Sequence, residues 1–560
     1  MKNQVDPGAA DIPFGPADAP WRNSFSDLSL ITEIPDVTAP SSDPRQTYDA
    51  VTETPYGRFQ LPAGGLTADQ YTAAENLFRS WLEERCRISA GFQINADLDY
   101  QQRLSRYLGL TLNNAGDPYQ TGAYTHNSKI LERAVLDYFA SLWNAKWPHR
   151  RDDPDSYWGY SLTMGASEGN LYGLWNAREY LSGRLMLHSP QGSAEPAPAT
   201  GPDGAGRSGP NGYHPVLFFS QDTHYSLTKA TRLLGIDTFQ DVGRRWFPDE
   251  NPLAPGTPWP GEVPSVGGAD GDGMIDLDRL AVLVQFFASR GFPIVVSLNY
   301  GSSFKGAYDD VATASRLVHD ICAKHGLDER PVHRGHGRSS TFDLRTGYWV
   351  HVDGALGAGY VPYLEMARRA GLVEAAPPVF DFRLPTVHSI TMSGHKWLGA
   401  PWPCGIFMTR TRFQMIPPRE SEYIGSSDTT LAGSRNGFSP LLMWDHLARH
   451  SYDEQIRWAA ECDRMAAYAH RSLRALEKEL DLDLWVARSP FSLTIRFRRP
   501  AGWLVQKYSL SYETTYADGR RRAYAHLYTM RHVTRDLIDE LVRDLRRPDA
   551  FAAGDSVAQA

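Results

Sequence analysis

The sequence predicts an α/β fold, in which a large domain with a mostly parallel β-sheet precedes a smaller C-terminal α+β domain. Between about residues 107 and 412, apolar runs rich in β-branched and aromatic residues alternate with segments of helical spacing. This alternation is typical of a parallel sheet that is covered by helices on both faces. After residue 440, helical patterns are followed by two segments of alternating polarity, which favours a separate α+β unit.

The chain divides into segments of different composition. An arm rich in Pro, Asp, Ser and Ala comes first and is expected to be flexible. Tyr71, Leu77 and Trp81 then follow helical spacing and predict a helical segment. The predicted segments are a flexible arm (1–65), a helical segment (66–106), the large domain (107–412), a loop and linker region (413–440), the small domain (441–546) and a disordered tail (547–560).

A glycine-containing turn follows the first strong strand of the large domain. Residues 157–164 predict this strand, residues 165–170 (Gly-Ala-Ser-Glu-Gly-Asn) predict the turn, and a helical pattern begins at 171. Free N–H groups and the positive end of a helix dipole suit a phosphate dianion, and the hydroxyl of Ser167 adds a donor. Such turns also occur without any ligand.

Polar residues follow three further predicted strands. His224 comes after the strand at 216–220, a strand at 297–300 ends at Gly-Ser-Ser (301–303), and the strand beginning at Tyr348 ends at Asp353. Parallel α/β sheets bind their ligands at the carboxyl ends of the strands. Taken singly, Asp353 is equally well explained as the cap of the following turn. His224, taken singly, is better explained as a helix cap or a structural histidine than as a ligand of a cofactor.

Lys396 lies between two predicted strands, at 384–392 and 406–408, in a segment rich in Gly, Pro and Trp. Partial burial lowers the pKa of a lysine and frees its amine to condense with an aldehyde. A lysine, an acid, an imidazole and a phosphate turn are together the components of a pyridoxal phosphate (PLP) site. The sequence therefore predicts PLP chemistry at Lys396.

The order of the motifs resembles a known family. From about residue 80 to about 545 the chain resembles the group II PLP-dependent amino-acid decarboxylases, most closely the branch of bacterial histidine decarboxylases and plant serine decarboxylases. This resemblance implies fold type I of the PLP-dependent enzymes. The matching stretches are residues 113–118, 165–173, 223–226, 301–307, 351–357, 393–396 and 428–437.

The resemblance implies a role for each matching residue. Lys396 would form the aldimine with PLP, and Asp353 would pair with the pyridine nitrogen. His224 would stack on one face of the ring and Ala355 would pack on the other. The remaining cofactor contacts implied are Ala166, Ser167 and Ser393 at the phosphate, with His395 close by.

The resemblance also implies a homodimer and a mobile catalytic loop. Tyr423 lies in the stretch that forms this loop in relatives, often across the dimer interface, and is a candidate proton donor. The alternative for Tyr423 is an ordinary interface aromatic.

The implied reaction is decarboxylation of an L-amino acid to a primary amine and CO₂. The substrate is open between histidine, a branched aliphatic amino acid such as valine, and another amino acid. Other reactions of the same fold use similar cofactor residues, among them transamination, desulfuration and decarboxylating aldehyde synthesis. A non-catalytic scaffold is a further alternative, although retention of Lys396, Asp353 and His224 argues against it.

Composition narrows the function classes. A net charge of −8 gives no indication of nucleic-acid binding. The chain has no apolar run of about 20 residues and no signal-peptide pattern at its N-terminus, which predicts a cytoplasmic protein without membrane contact. The 17 histidines and four cysteines show no metal-site spacing, so no metal is expected.

Three insertions interrupt the core pattern, at residues 189–211, 249–271 and 329–346. The first two are rich in Pro and Gly, and the third is rich in Arg and His. Because all three lie between core elements, we expect surface loops, one of which is a candidate lid over the active site.

Overall fold

The computed structural model describes residues 56–189, 211–334, 341–416, 422–517 and 520–551. The strands are β1 (Tyr157–Leu162), β2 (Val216–Phe218), β3 (Ile294–Asn299), β4 (Arg330–Arg334), β5 (Thr341–Arg345), β6 (Tyr348–Asp353), β7 (Ser389–Ser393), β8 (Gly405–Arg410), β9 (Thr494–Arg498), β10 (Ser511–Ala517) and β11 (Arg520–Tyr528). The helices are α1 (Ala68–Ile88), α2 (Gln101–Leu104), α3 (Lys129–Leu142), α4 (Ala166–Leu181), α5 (Ser226–Leu234), α6 (Phe239–Trp246), α7 (Leu277–Ala288), α8 (Val311–Lys324), α9 (Gly357–Arg369), α10 (Phe438–Arg449), α11 (Tyr452–Glu479), α12 (Gly502–Lys507) and α13 (Arg535–Leu545).

The large domain is built on a six-stranded sheet with the order β1-β8-β7-β6-β3-β2. The neighbours β7, β6, β3 and β2 are parallel, and β8 is antiparallel to both β1 and β7. The predicted mostly parallel sheet is therefore confirmed. Every residue of β1, β3 and β6 is buried, which explains their nearly continuous apolar sequences.

The compact unit that ends at Arg87 contains nearly all of α1, in the segment predicted to be helical. Tyr71, Phe78 and Leu82 of this helix are exposed. Among the described residues of the whole chain, no helix is both long enough and apolar enough to cross a membrane.

The C-terminal region contains a three-stranded antiparallel sheet with the order β10-β11-β9. The two strands predicted from alternating polarity are β9 and β11, which pair in the structure. The sequence analysis missed β10, because its aromatic residues Tyr512 and Tyr516 lie on the exposed side of an edge strand. The predicted long helical region is two helices, with a capping box at Ser451 beginning α11.

The third predicted surface loop is instead a β-hairpin formed by β4 and β5. Arg330 and Arg345 of this hairpin are buried, and they donate to the backbone oxygens of Leu181 and Tyr180, each at 2.8 Å. These carbonyls lie in the last turn of α4, where helices leave acceptors without a donor four residues on, and the Tyr180 carbonyl also accepts from Gly183 N at 3.3 Å. Arginines that resembled surface residues thus form part of a buried C-cap.

The other two insertions have different outcomes. In the second, Trp259 is 3% exposed and anchors the segment in the core, so this insertion is not wholly a surface loop. The first lies outside the described residues from 190 to 210, as do residues 1–55 of the predicted arm. Of the predicted tail, residues 552–560 lie outside, whereas Ala550 is buried and its carbonyl accepts from Ala501 N at 2.8 Å.

Candidate active site

A cavity of about 250 Å³ lies at the carboxyl ends of β3, β6 and β7. Asn299, Asp353 and Ser393, the last residues of these strands, all line it. Every predicted site residue except Tyr423 also lines this cavity, namely Ala166, Ser167, His224, Asp353, Ala355, Ser393, His395 and Lys396. The register of the sheet therefore brings together residues that are up to 230 positions apart in the sequence.

Lys396 lies in the turn between β7 and β8. Burial lowers the pKa of its amine from 10.5 to about 8, and the smaller influence of Asp353 acts in the opposite direction. At pH 7 this change increases the neutral fraction of the amine about 300-fold. The lysine is thus prepared to attack a carbonyl carbon, for which it must be unprotonated.

Gln93 is a site residue that the sequence analysis missed. Its side-chain oxygen accepts from Lys396 Nζ at 2.6 Å, and its amide nitrogen donates to the Ser302 carbonyl at 3.4 Å. Gln93 is buried in an irregular segment that is 303 residues from Lys396 in the sequence. No local pattern marks such a residue, because only the tertiary fold brings it to the lysine.

Asp353 presents both of its carboxylate oxygens to N–H donors. Oδ1 accepts from the Ala355 backbone at 3.1 Å, and Oδ2 accepts from Asn170 Nδ2 at 2.7 Å. Because both partners donate hydrogen bonds, both oxygens of the carboxylate act as acceptors, and neither contact requires a proton on the carboxyl group. An anionic group at the end of β6 fits a protonated pyridine nitrogen. The sequence analysis included Asn170 in a motif but gave it no role.

His224 follows β2 and lines the same cavity. Its Nδ1 atom lies 2.8 Å from Ser226 Oγ. Burial is the main cause that lowers the pKa of the imidazole; Lys396 and Lys229 also lower it, whereas Asp353 raises it. A flat, largely neutral ring of this kind can cover one face of a bound aromatic group.

An anion cradle is formed where α4 begins. Gly165 adopts φ 68°, a left-handed conformation, and a Cβ at this position would lie only 2.6 Å from His395 Cε1. The glycine therefore allows the His395 ring to lie close to the N-terminus of a 16-residue helix, where Ser393 Oγ accepts from Ala166 N at 3.0 Å. Backbone N–H groups and a positive dipole end at such a position fit a phosphate.

Tyr423 is not brought to the cavity by the described residues of this chain. Its side chain is 82% exposed. The neighbouring Ile424 carbonyl accepts from Ala123 N at 2.7 Å, and the Ser427 carbonyl accepts from Asp117 N at 2.8 Å. The proton-donor role of Tyr423 stays a prediction that depends on a second subunit.

The cavity, its lysine and its anion cradle agree with the comparisons to known proteins. A family model described as the pyridoxal-dependent decarboxylase conserved domain matches residues 269–477. The histidine decarboxylase of Mesorhizobium japonicum is 31% identical over 421 residues, which cover 75% of this chain and 85% of that protein. The chain belongs to the group II PLP-dependent amino-acid decarboxylases. The enzyme is a carboxy-lyase whose cofactor is PLP.

Two further proteins of known activity are similar to this chain over most of its length. The histidine decarboxylase of Solanum lycopersicum is 28% identical, with 83% of this chain and 86% of that protein covered. The crystal structure of L-methionine decarboxylase from Streptomyces sp. 590 is 45% identical, with a TM-score of 0.81 and with 87% of this chain and 96% of that chain covered. Fold type I is confirmed for the decarboxylase. The predicted relationship to the histidine and serine decarboxylases is confirmed as well, since serine decarboxylase 3 of Oryza sativa subsp. japonica is 27% identical over 84% of this chain.

Replacement of Gln93 by methionine should lower the pKa of Lys396 below about 8. Methionine retains the approximate volume but removes the acceptor that stabilises the ammonium form. The rate at which cofactor-free enzyme takes up PLP, followed by absorbance, should therefore reach its half-maximal value at a pH lower by about 1. Gln102→Met, at an exposed position, is the control. An unchanged midpoint for Gln93→Met would show that this contact does not influence the amine.

Proposed function

We propose that the enzyme decarboxylates an L-amino acid with an apolar, unbranched or branched side chain, of which methionine is the best candidate. The observation that carries this proposal is the 45% identity to L-methionine decarboxylase over nearly the whole of that chain. The histidine decarboxylases are more distant, at 31% identity or less for those compared above. The proposal extends the earlier expectation of an aliphatic substrate and favours it over histidine.

The lining of the cavity supports an apolar substrate. Met164, Tyr225 and Pro403 line it without a role at the cofactor, and all three offer mainly apolar surface. Asn299, Ser302 and Ser303 also line it and are polar but uncharged. Among the described lining residues the one carboxylate is Asp353, which is already bonded to Asn170 and Ala355. The imidazole of a histidine substrate would therefore lack an acidic partner in this cavity. The thioether of methionine or the side chain of an aliphatic amino acid needs no such partner.

The proposed mechanism assigns one task to each group. When bound, PLP supplies an electron-accepting ring that takes up the electrons of the breaking bond between Cα and the carboxylate. Lys396 would hold the cofactor through its largely buried amine. Asp353 holds a proton at the pyridine nitrogen, and His224 and Ala355 fix the plane of the ring. Ala166, Ser167 and Ser393 bind the phosphate, with His395 beside them.

A substrate panel tests the proposal. Holoenzyme is incubated separately with L-methionine, L-valine, L-leucine, L-histidine and L-serine, and the products are identified by mass spectrometry. We expect loss of CO₂ with formation of the amine from methionine, and kcat/KM for methionine at least about tenfold above that for histidine. Lys396→Ala enzyme provides the blank. Faster release of histamine would contradict the substrate, and an aldehyde product would contradict the simple decarboxylation.

A homodimer is part of the proposal, because the resemblance implies it. The exposed Tyr423 and the exposed apolar residues of α1 are consistent with surfaces that a second subunit covers. Cytoplasmic location likewise stays a prediction.

A further inference from the structure

Asn170 connects two of the groups that are proposed to act on the cofactor. Its Nδ2 atom donates to Asp353 Oδ2 at 2.7 Å and to Ser226 Oγ at 3.0 Å. Its Oδ1 atom lies 2.9 Å from His351 Nε2. Asn170, Ser226 and His351 are all buried. Every hydrogen-bonding atom of this amide is therefore occupied, which leaves it a single orientation.

The direction of each hydrogen bond follows from the carboxylate. Turning the Asn170 amide over would place its oxygen against Asp353, where acceptor would face acceptor. Oδ1 consequently accepts a hydrogen bond from the N–H at Nε2 of His351. Burial lowers the pKa of His351 to about 4, so this ring is neutral at pH 7. His351 Nδ1 is then an acceptor, and it lies 2.8 Å from the hydroxyl of Ser389.

The same reasoning fixes the tautomer of His224. The backbone N–H of Ser226 donates to His224 Nδ1 at 3.3 Å, and a backbone N–H can only donate. Nδ1 therefore carries no proton. Ser226 Oγ accepts from Asn170, so its own hydrogen is directed to the same Nδ1 atom at 2.8 Å. The proton of the neutral imidazole is left on Nε2.

We propose that Ser226 and Asn170 are positioning residues that hold His224 in its Nε2–H tautomer. Because Asn170 donates both to Asp353 and to Ser226, this tautomer depends on the carboxylate of Asp353. The proposal rests on the proposed function, in which His224 covers the ring of the cofactor. Since Nδ1 is occupied by Ser226, Nε2 is the nitrogen that remains to act on a bound molecule. His224 then acts there as a hydrogen-bond donor and not as a base.

The surroundings of His224 favour its neutral form, which is the form that has two alternative tautomers. Burial is the largest cause that lowers its pKa. The cations Lys396 and Lys229 lower the pKa further, and the carboxylate of Asp353 raises it. The ring of Tyr225 lies 4.2 Å away between centroids, and His395 lines the same cavity.

Solid-state NMR of full-length holoenzyme labelled with ¹⁵N-histidine, recorded without substrate, tests the tautomer. The signals of His224 are identified by their loss in His224→Gln. We expect an unprotonated Nδ1 and a protonated Nε2 in the wild-type enzyme. In Ser226→Ala the longer backbone N–H contact at 3.3 Å still favours the Nε2–H tautomer, but the 2.8 Å contact with the hydroxyl is lost. The share of the Nδ1–H tautomer should therefore increase, and the pKa of His224 should rise by about 0.5 to 1, because the lost hydroxyl had stabilised the neutral ring.

Three variants make the test specific. Ser226→Thr keeps a hydroxyl and should retain the wild-type tautomer, and Thr228→Ala removes an exposed hydroxyl from the same helix and should change nothing. Asn170→Ala frees the Ser226 hydroxyl to rotate, so its effect on the pKa of His224 should be less than additive with that of Ser226→Ala.

A protonated Nδ1 of His224 in the wild-type enzyme would overturn the proposal, even if Ser226→Ala and Asn170→Ala could not be purified. Wild-type values of both tautomer and pKa in Ser226→Ala would also overturn it. The spectra are recorded without substrate, so a wrong substrate assignment would alter the product assay and leave this result unchanged.

Discussion

Replacement of Lys396 by alanine is expected to reduce amino-acid decarboxylation by at least about 10³-fold. In the proposed mechanism this side chain supplies the amine that attaches the cofactor. Burial lowers its pKa to about 8, so that about a tenth of the amine is unprotonated at pH 7. The measurement is single-turnover formation of the amine product. In parallel, borohydride treatment followed by peptide mass spectrometry should fix PLP to Lys396 in the wild-type enzyme and to no peptide in the variant.

Two further variants separate the chemistry of Lys396 from its charge. Lys396→Arg retains a cation but has no nucleophilic amine, so it should be as inactive as Lys396→Ala. Lys478→Ala removes an exposed lysine from α11 and should retain wild-type activity and cofactor content. Full activity in Lys396→Ala, or borohydride labelling at a different lysine, would show that the attachment site has been assigned wrongly.

The residues that could be predicted from the sequence share one property, their place at the end of a regular element. Asp353 and Ser393 end buried strands, and Ala166 begins a helix after a glycine turn. Apolar runs and turn residues locate such ends without knowledge of the fold. Because the carboxyl ends of parallel strands meet at one edge of a sheet, their convergence on one cavity could be expected as well.

The residues that escaped prediction depend on tertiary structure. Gln93 lies in an irregular segment and reaches Lys396 only when the chain is folded. The contact between Asn170 and Asp353 depends on which side of α4 faces β6 in the folded protein, and the spacing of residues in the sequence does not determine this. Arg330 and Arg345 resembled solvated residues because composition carries no information about the carbonyls at the end of α4.

Replacement of Asp353 by asparagine is expected to lower kcat by about 10² to 10³-fold, the usual cost of losing one preorganised electrostatic group. The carboxylate raises the pKa of Lys396 against the larger effect of burial. Its loss should therefore lower the pKa of Lys396 below about 8 and move the pH midpoint of cofactor uptake downwards. The pKa of His224 should fall in the same variant, because Asp353 raises it as well.

Asp353→Glu distinguishes the charge of this residue from its position. Glutamate retains the anion, so the pH midpoint of cofactor uptake should stay close to that of the wild-type enzyme, while a displacement of about 1 Å costs about 10²-fold in kcat. Asp310→Asn is the matched control, since Asp310 caps α8 and asparagine caps a helix equally well. If Asp353→Asn retained wild-type kcat, the pyridine nitrogen would not depend on this carboxylate. If kcat fell while the midpoint was unchanged, the charge of Asp353 would act at the pyridine nitrogen and not on the pKa of Lys396.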